Sequence, residues 1–319
     1  MRKLFYALTA ASSLFILAAC GNGNGSATGV VAAGQDQAQG QEPIQIVATI
    51  SIIADMVYQV AGELVEIYTI VPIGDNPEEH DILPSDMMAV ASADIIFFNG
   101  WNLEAGNEWF ENLMESTGMV ENVNYFRVTE GITPFMLRTD GMEDEEDPHA
   151  WLDLSKGITY VRNIEKVLSD FSPENATTFQ ENAENYTARL YALHNEWVGR
   201  FDHIPDSQRL LVTSEGAFRY FAAAYNLDVA YIWELNAEEE GTPEQMLALI
   251  NIVNNSEVRS LFSESSVDPQ YIEQISAETG IPVFGMIFTD SLSEPGGVAG
   301  TYYDMMRYNL ETIYAGLTN

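Results

Sequence analysis

The sequence has a single cysteine, Cys20, and few basic residues, with 13 Lys and Arg against 48 Asp and Glu and a formal net charge of −35. A lone cysteine excludes an intrachain disulfide and thiolate sites for zinc or copper(I). The shortage of positive charge excludes nucleic-acid binding, because such a chain repels polyphosphate. The acidic surplus attracts cations in general without specifying any one site.

The N-terminus has the pattern of an export signal. Arg2 and Lys3 precede an uncharged apolar run that ends at Leu17, which is too short for a settled transmembrane helix. The following letters, LAACG, resemble the lipobox of bacterial lipoproteins, in which the cysteine becomes the lipid-modified N-terminus. We therefore expect a signal peptide over residues 1–19 and lipid attachment at Cys20. The alternative is a plain signal peptide, with the cysteine removed or left free.

Residues 20–43 are rich in Gly, Ala, Asn and Gln and nearly free of apolar side chains. This composition is typical of a flexible linker. We expect it to hold the folded part near the outer face of the cytoplasmic membrane.

After Pro43, short apolar runs rich in β-branched residues alternate with helical patterns. Such alternation predicts βαβ units with parallel sheets, and hence an α/β fold. The pair Thr242-Pro243 shows a helix start, with an N-cap before a proline in the first turn. The predicted strands are Ile44–Ile50, Glu66–Val71, Ala93–Asn99, Leu210–Thr213, Asp228–Trp233, Ser260–Ser263 and Ile281–Phe288. The predicted helices are Ile53–Ala61, Pro84–Ser92, Asn107–Glu115, Ala217–Tyr225, Pro243–Asn254 and Pro269–Thr279.

The middle of the chain breaks this alternation. Leu154–Phe171 is helical, and a further helical stretch runs to about Phe201 with no strand between them. A helix of about 30 residues spans roughly 45 Å, so we interpret residues 173–203 as a connecting helix. It would join an N-terminal α/β lobe, 44–172, to a C-terminal α/β lobe, 204–319, each with mainly parallel sheets and its own core. His194 and His203, on or just after this helix, are expected on its solvated surface.

Ligands of open α/β sheets bind beyond the carboxyl ends of the strands. His80 or Glu78 follows the second predicted strand, Glu215 follows the strand at Leu210, and Asp290 follows the strand at Ile281. Glu215 could instead sit at a helix N-terminus, and Asp290 could be an N-cap or turn residue.

His149 closes an acidic run and lies between Pro148 and the apolar pair Trp151-Leu152. A surface histidine on an acidic loop is the simple interpretation. An imidazole held by a proline near carboxylates is also the usual setting of a metal ligand. With the donors at the strand ends, it would complete a set of two imidazoles and two carboxylates between the lobes. Such a set suits one divalent Mn(II), Fe(II) or Zn(II).

Several long segments make the chain recognisable, namely EDPHAWLDL, LLVTSEGAF, YIWELNAEEEGTPEQ, LFSESSVD, IFTDSLSE and YYDMMRYNLETI. From about Ile44 to near the C-terminus the chain resembles the metal-specific solute-binding lipoproteins of bacterial ABC importers. It is most like the manganese-type branch, which includes the surface adhesin lipoproteins. The resemblance implies two α/β lobes linked by one long helix, a metal between the lobes, and no enzymatic activity. The implied partners are an ABC permease and its ATPase, with the receptor itself a monomer.

The family binds its metal with two histidines, a glutamate and an aspartate. In this resemblance His149 matches the second histidine, Glu215 the glutamate and Asp290 the aspartate. The family usually reads Asp-Pro-His-x-Tyr-Glu at the first histidine, and an ungapped match places Glu78 there and His80 at the tyrosine. We favour His80 as the first ligand, because this segment has no other imidazole. With Glu78 instead, the set would be harder and more anionic, which favours manganese.

The zinc-type branch typically carries a long histidine-rich loop. The corresponding stretch here, Arg138–Asp147, is acidic and lacks histidine, which favours manganese or iron as the physiological metal. The rival readings are a zinc or iron receptor of the same kind, an adhesin with a structural metal, and a metallohydrolase. A hydrolase needs an open coordination position and a general base, and the sequence has no HExxH helix.

Overall fold

The computed structural model describes residues 42–104, 108–139, 142–235 and 241–319. The predicted signal peptide, Cys20 and nearly all of the linker lie outside the described residues. None of the described helices is both long and apolar enough to cross a bilayer.

The N-terminal half is built on one parallel sheet. Its strands lie in the order β2-β1-β3-β4, and every neighbouring pair is parallel. All four residues of the strand at Ile95 are buried, as expected for a parallel strand that is covered on both faces. The strands are β1 Ile44–Ala48, β2 Val65–Thr69, β3 Ile95–Phe98 and β4 Tyr125–Arg127, and the helices are α1 Ser51–Ala61, α2 Pro84–Ser92 and α3 Trp109–Thr117.

The C-terminal half carries two parallel strand pairs, β5-β6 and β7-β8. The predicted N-cap is present at Thr242, whose hydroxyl accepts from the Gln245 amide. The Gln245 side chain also accepts from the Thr242 amide, so the two residues form a capping box. The strands are β5 Leu210–Val212, β6 Asp228–Ala230, β7 Leu261–Glu264 and β8 Val283–Ile287, and the helices are α6 Arg219–Tyr225, α7 Pro243–Asn254, α8 Gln270–Thr279 and α9 Tyr302–Thr318.

Two long helices, α4 Leu154–Phe171 and α5 Ala176–Phe201, lie between the halves. The 26 residues of α5 correspond to roughly 39 Å. Near its start, Asn182 donates to the carbonyl of Val60 in α1. At its other end, the Phe201 ring packs edge-on against Phe221 of α6, with 5.9 Å between centroids. The helix therefore contacts both halves of the chain.

The sequence analysis expected a separate core for each lobe, and the structure differs on this point. The largest core cluster contains Ile46 and Phe97 from the first sheet together with Phe262, Ile287 and Met305 from the C-terminal half. A smaller cluster lies around β6, α7 and α8. The main core is shared because α5 packs against α1, α6 and α9, and α9 also packs against β5 and β8.

Two elements were not predicted from the sequence. The three-residue strand β4 is only half-buried, so it lacks a strong apolar run. Helix α9 begins where the side chain of Thr301 accepts from the amide of Asp304, an N-cap signal that the sequence does show. The parallel α/β architecture itself is confirmed, with strand ends shifted by at most three residues.

A buried carboxyl joins the ends of β1 and β3. Glu104 accepts hydrogen bonds from the Thr49 hydroxyl at 2.7 Å, the Asn99 amide at 2.7 Å and the Gly100 amide at 2.9 Å. The Asn99 side chain in turn donates to the carbonyl of Pro148 at 3.1 Å. Burial raises the pKa of Glu104 to about 7, although these hydrogen bonds oppose the shift. These hydrogen bonds therefore hold Pro148, the residue that precedes His149.

We predict that Gly157→Ala destabilises the protein. Gly157 of α4 faces Tyr302 of α9, and a Cβ at this position would overlap the tyrosine hydroxyl, which donates to the carbonyl of Trp151 at 2.6 Å. Overpacking of this kind costs about 1–3 kcal/mol. The matched control is Gly199→Ala in α5, where a Cβ meets no atom within 4 Å and a gain of about 1 kcal/mol is expected. Urea unfolding measures both, and equal effects would contradict the packing.

We predict that Glu104→Gln flattens the dependence of stability on pH. The folded-state pKa of Glu104, about 7, lies above its ordinary value of 4.5, so the folded state favours the protonated form. Its contribution to stability is fully present below pH 4.5 and is lost as the pH rises through 7. This difference corresponds to about 3 kcal/mol.

Urea unfolding of the metal-free protein across this window tests the prediction. The wild type loses stability relative to Glu104→Gln as the pH rises, whatever constant offset the substitution introduces. The control, Glu130→Gln, removes an exposed carboxyl and keeps the wild-type slope. A Glu104→Gln slope that matched wild type would contradict the assignment.

Candidate metal centre

Four acidic or imidazole side chains from separate parts of the chain approach one another in the interior. Glu78 lies in the loop after β2, Glu215 in the turn after β5, and Asp290 in the turn after β8, while His149 precedes α4. All four are buried. The carboxyl ends of the parallel strands supply three of them, as the rule for open α/β sheets predicts.

His149 is held by Asp147. Its Nδ1 lies 3.0 Å from Oδ1 of Asp147, and its backbone amide donates to the same oxygen at 3.1 Å. Because a carboxylate accepts only, Nδ1 carries the proton and Nε2 is the atom left to bind a ligand. The side chain is 1% exposed, so the interpretation as a surface histidine is wrong.

The two C-terminal carboxylates face Nε2 of His149. Oδ1 of Asp290 lies 3.4 Å from this nitrogen and Oε1 of Glu215 lies 3.7 Å from it. Ligands about 2.1 Å from a tetrahedral metal ion are separated by about 3.4 Å. The spacing therefore fits donor atoms that share one cation.

Glu78 completes the group from the N-terminal half. Glu78, His149 and Glu215 each offer one donor atom, and these three atoms lie within 4.8 Å of one another. A short 3-10 turn, Pro77–Glu79, aims the Glu78 side chain. The Glu78 amide donates to the Asn76 side chain at 2.9 Å, and the Trp109 indole donates to the carbonyl of Pro77 at 3.0 Å.

His80, the expected first ligand, lies outside this group. Its Nε2 is 3.1 Å from Oδ2 of Asp86, and its ring packs edge-on against Trp109. Asp86 is itself fixed, because it accepts from the Tyr68 hydroxyl and from the Leu83 amide. Within the tight turn, side chains two residues apart point in different directions, so the structure brings Glu78 to the other donors and turns His80 towards α2. The preference for His80 is therefore not supported, and the identity of the ligands stays a prediction.

The electrostatics of the group favour a cation. Burial alone would lower the pKa of His149, but its hydrogen bonds with Asp147 and Asp290 and the charge of Glu215 raise the pKa well above the usual value. Burial would raise the pKa of Asp290, yet His149 and the hydrogen bond from Ser266 lower it overall. In metal-free protein the imidazolium thus supplies the positive charge, and a bound metal ion would replace that proton.

Further polar groups hold the carboxylates in place and were not identified from the sequence. Glu264, at the end of β7, accepts from the amides of Ser214 at 3.0 Å and Glu215 at 2.8 Å, and burial raises its pKa to about 7. Ser266 donates to Oδ2 of Asp290 at 2.6 Å. Glu264 and Ser266 do lie in a segment that carries the family resemblance, but the sequence of that segment does not reveal their hydrogen-bond partners.

The other two histidines differ from each other. His203 is exposed, as expected, with Nδ1 2.6 Å from the carbonyl of Gly199. His194 is half-buried, with Nδ1 3.3 Å from the Tyr225 hydroxyl, and burial lowers its pKa. The expectation of a solvated His194 is wrong, because α6 packs against this face of α5.

Comparison with known proteins gives a consistent result. The chain matches the family described as ZnuA, zinc-uptake complex component A periplasmic, over residues 46–316. It is 43% identical over 318 residues to the manganese ABC transporter substrate-binding lipoprotein PsaA of Streptococcus mitis, and the match covers 99% of each chain. It is 42% identical over 317 residues to the iron ABC transporter substrate-binding lipoprotein MtsA of Streptococcus pyogenes, again with 99% of each chain covered.

Solved structures agree with this assignment. The Mn-bound periplasmic metal binding protein of Candidatus Liberibacter asiaticus aligns with a TM-score of 0.76 at 30% identity, covering 85% of this chain and 98% of that chain. The periplasmic zinc binding protein TroA of Treponema pallidum aligns with a TM-score of 0.78 at 25% identity, covering 86% and 99%. The chain therefore belongs to the ZnuA family of metal-binding lipoproteins that act as the substrate-binding components of ABC transporters.

Proposed function

We propose that this protein captures Mn(II) outside the cytoplasmic membrane and delivers it to an ABC permease that is driven by an ATPase. The observation that carries the proposal is the convergence of Glu78, Glu215 and Asp290 on His149 in the interior. Proteins of this family bind a substrate for transport and are not enzymes. The metal is therefore cargo, and coordination is the only chemistry required.

The chemistry of the donor set supports manganese. Three carboxylates and one imidazole form a hard, oxygen-rich set, which suits Mn(II) better than it suits softer ions. Their three negative charges exceed the charge of one divalent cation, which favours retention of a weakly bound hard ion. Relatives named for manganese and for iron support the same class of metal. Zinc binding in vitro remains compatible, because zinc outranks manganese at most N/O sites.

The remaining parts of the proposal concern the anchor and the layout of the chain. Cleavage of residues 1–19 would leave Cys20 as the lipid-bearing N-terminus at the outer face of the membrane, with 20–43 as a linker. Residues 44–172 and 204–319 would form the two lobes, with 173–203 as the connecting helix, and the receptor would act as a monomer. The lipoprotein names of the relatives support the anchor.

We predict that Mn(II) stabilises the metal-stripped protein through Glu78. Thermal unfolding is measured with Mn(II), Fe(II), Zn(II), Mg(II) and Ca(II) added separately, and ligand at a thousandfold excess over Kd adds about 4 kcal/mol. Mn(II) and Zn(II) should raise Tm while Mg(II) and Ca(II) should not. Glu78→Ala should lose the shift, and His80→Ala should keep it.

The matched control is Glu79→Ala, which removes an exposed carboxyl from the same turn and should keep the full shift. Loss of the shift in His80→Ala but not in Glu78→Ala would move the first ligand to His80. No shift with any transition metal would contradict the receptor function. Host-ligand binding undiminished without metal, together with intact metal uptake in a deletion strain, would instead favour an adhesin with a structural metal.

We also predict that Glu78→His changes the preference among metals. The substitution replaces a hard carboxylate by an imidazole and creates a set with two imidazoles and two carboxylates, which is more favourable to zinc. Competition titrations should show the ratio of zinc to manganese affinity rising by about tenfold or more. Glu79→His, on the exposed side of the turn, should leave the ratio unchanged. An unchanged ratio in Glu78→His would contradict the role of Glu78 in selectivity.

A further inference from the structure

Arg219 lies directly behind the imidazole of the metal centre. It is the first residue of α6, four positions after Glu215, and it is 7% exposed. Among the described residues it is the only lysine or arginine that is buried. Burial of a guanidinium is costly unless its charge and its donors are satisfied, so its surroundings are informative.

Two carboxylates and one carbonyl surround the guanidinium. One terminal nitrogen of Arg219 donates to Oε1 of Glu234 at 2.9 Å and lies 3.3 Å from Oδ2 of Asp147. The other terminal nitrogen donates to the carbonyl of Met136 at 2.8 Å. Its planar fork can satisfy three acceptors at fixed angles, which a lysine ammonium cannot reproduce.

Through Asp147 the arginine acts on His149. Oδ1 of Asp147 accepts hydrogen bonds from the imidazole Nδ1 and from the backbone amide of His149, while Oδ2 faces Arg219. The hydrogen bonds at Oδ1 and the charge of Arg219 near Oδ2 together restrict rotation of the carboxylate, which orients the imidazole and its Nε2. Such outer partners of metal ligands orient the ligand and determine its affinity.

Through Glu234 the same arginine is connected to the start of the acidic stretch Arg138–Asp147. Oε2 of Glu234 accepts from the amides of Arg138 at 2.6 Å and Thr139 at 2.7 Å, and from the Thr139 hydroxyl at 2.9 Å. The neighbouring Tyr220 donates to the carbonyl of Asp147 at 2.9 Å. Residues at the start of α6 thus connect the C-terminal half to both ends of the segment that leads into His149.

We propose that Arg219 is a positioning residue for metal binding. It holds Asp147 so that His149 presents Nε2 to the metal. Through Glu234 it also couples metal binding to the position of the Arg138 and Thr139 backbone. This inference rests on the proposed metal-binding function. If the ion pair only stabilised the fold, its removal would lower the stability of the metal-free protein and leave metal affinity unchanged.

The test compares Arg219→Met with Arg209→Met in the mature chain. Arg209 precedes β5 at the end opposite Glu215 and also donates to backbone carbonyls, those of Ile204 and Asp202, so it is a matched structural arginine. Calorimetric titration with Mn(II) alone should show a loss of affinity of about 10- to 100-fold in Arg219→Met and wild-type affinity in Arg209→Met. In an Asp147→Asn background, Arg219→Met should cause little further loss, because both changes act through the same contact.

Hydrogen exchange supplies the second readout. Mn(II) should slow exchange of the Thr139 amide in wild type and in Arg209→Met, but not in Arg219→Met. If Arg219→Met does not fold, Arg219→Lys keeps the charge without the fork and should still show weakened Mn(II) binding. Affinity and protection equal to wild type in the folded Arg219 variant would overturn the inference while the proposed function stands. Failure of the wild type to bind Mn(II) would instead overturn the proposed function.

Discussion

The structure depends on one electrostatic constraint, which is the gathering of three carboxylates around a single buried imidazole. The donor oxygens of Glu78 and Glu215 lie within 4.8 Å of each other, so the two charges repel by about 3.5 kcal/mol or more at an effective dielectric constant of 20. In metal-free protein a proton on His149 offsets part of this repulsion, and its raised pKa reflects that role. A divalent cation offsets it more completely. The folded chain therefore contains a buried group of carboxylates whose repulsion has to be offset by a positive charge.

Rigid neighbours maintain this unfavourable arrangement. Glu78 is aimed by a capped turn, Glu215 by amides bonded to Glu264, and Asp290 by Ser266. His149 is held by its hydrogen bond with Asp147 and by the hydrogen bond from the Asn99 side chain to the carbonyl of the preceding residue. The donors come from both halves of the chain, and the shared core with α5 keeps those halves in register. The candidate metal centre thus depends on the packing of the two halves against each other.

Much of this arrangement could be predicted from the sequence, because it follows from local patterns. Strand and helix alternation gave the parallel sheets, and the rule that ligands lie beyond strand ends led to Glu215 and Asp290. The sequence analysis favoured His80 over Glu78, because the sequence does not show how a three-residue turn directs its side chains. The pairing of Arg219 with Asp147 could not be predicted either, because two residues so far apart in sequence give no local pattern that indicates their contact. Strand β4 is too short and too exposed for its pattern to stand out.

The central claim is that one imidazole and three carboxylates hold the metal. A crystal structure of the Mn(II)-loaded mature chain, with the ion located by anomalous scattering at the manganese edge, tests it most directly. The account predicts a single strong anomalous peak bonded to Nε2 of His149 and to oxygens of Glu78, Glu215 and Asp290, with His80 still paired to Asp86. A manganese ion bonded to His80 with Glu78 turned away, or a peak elsewhere in the molecule, would contradict it.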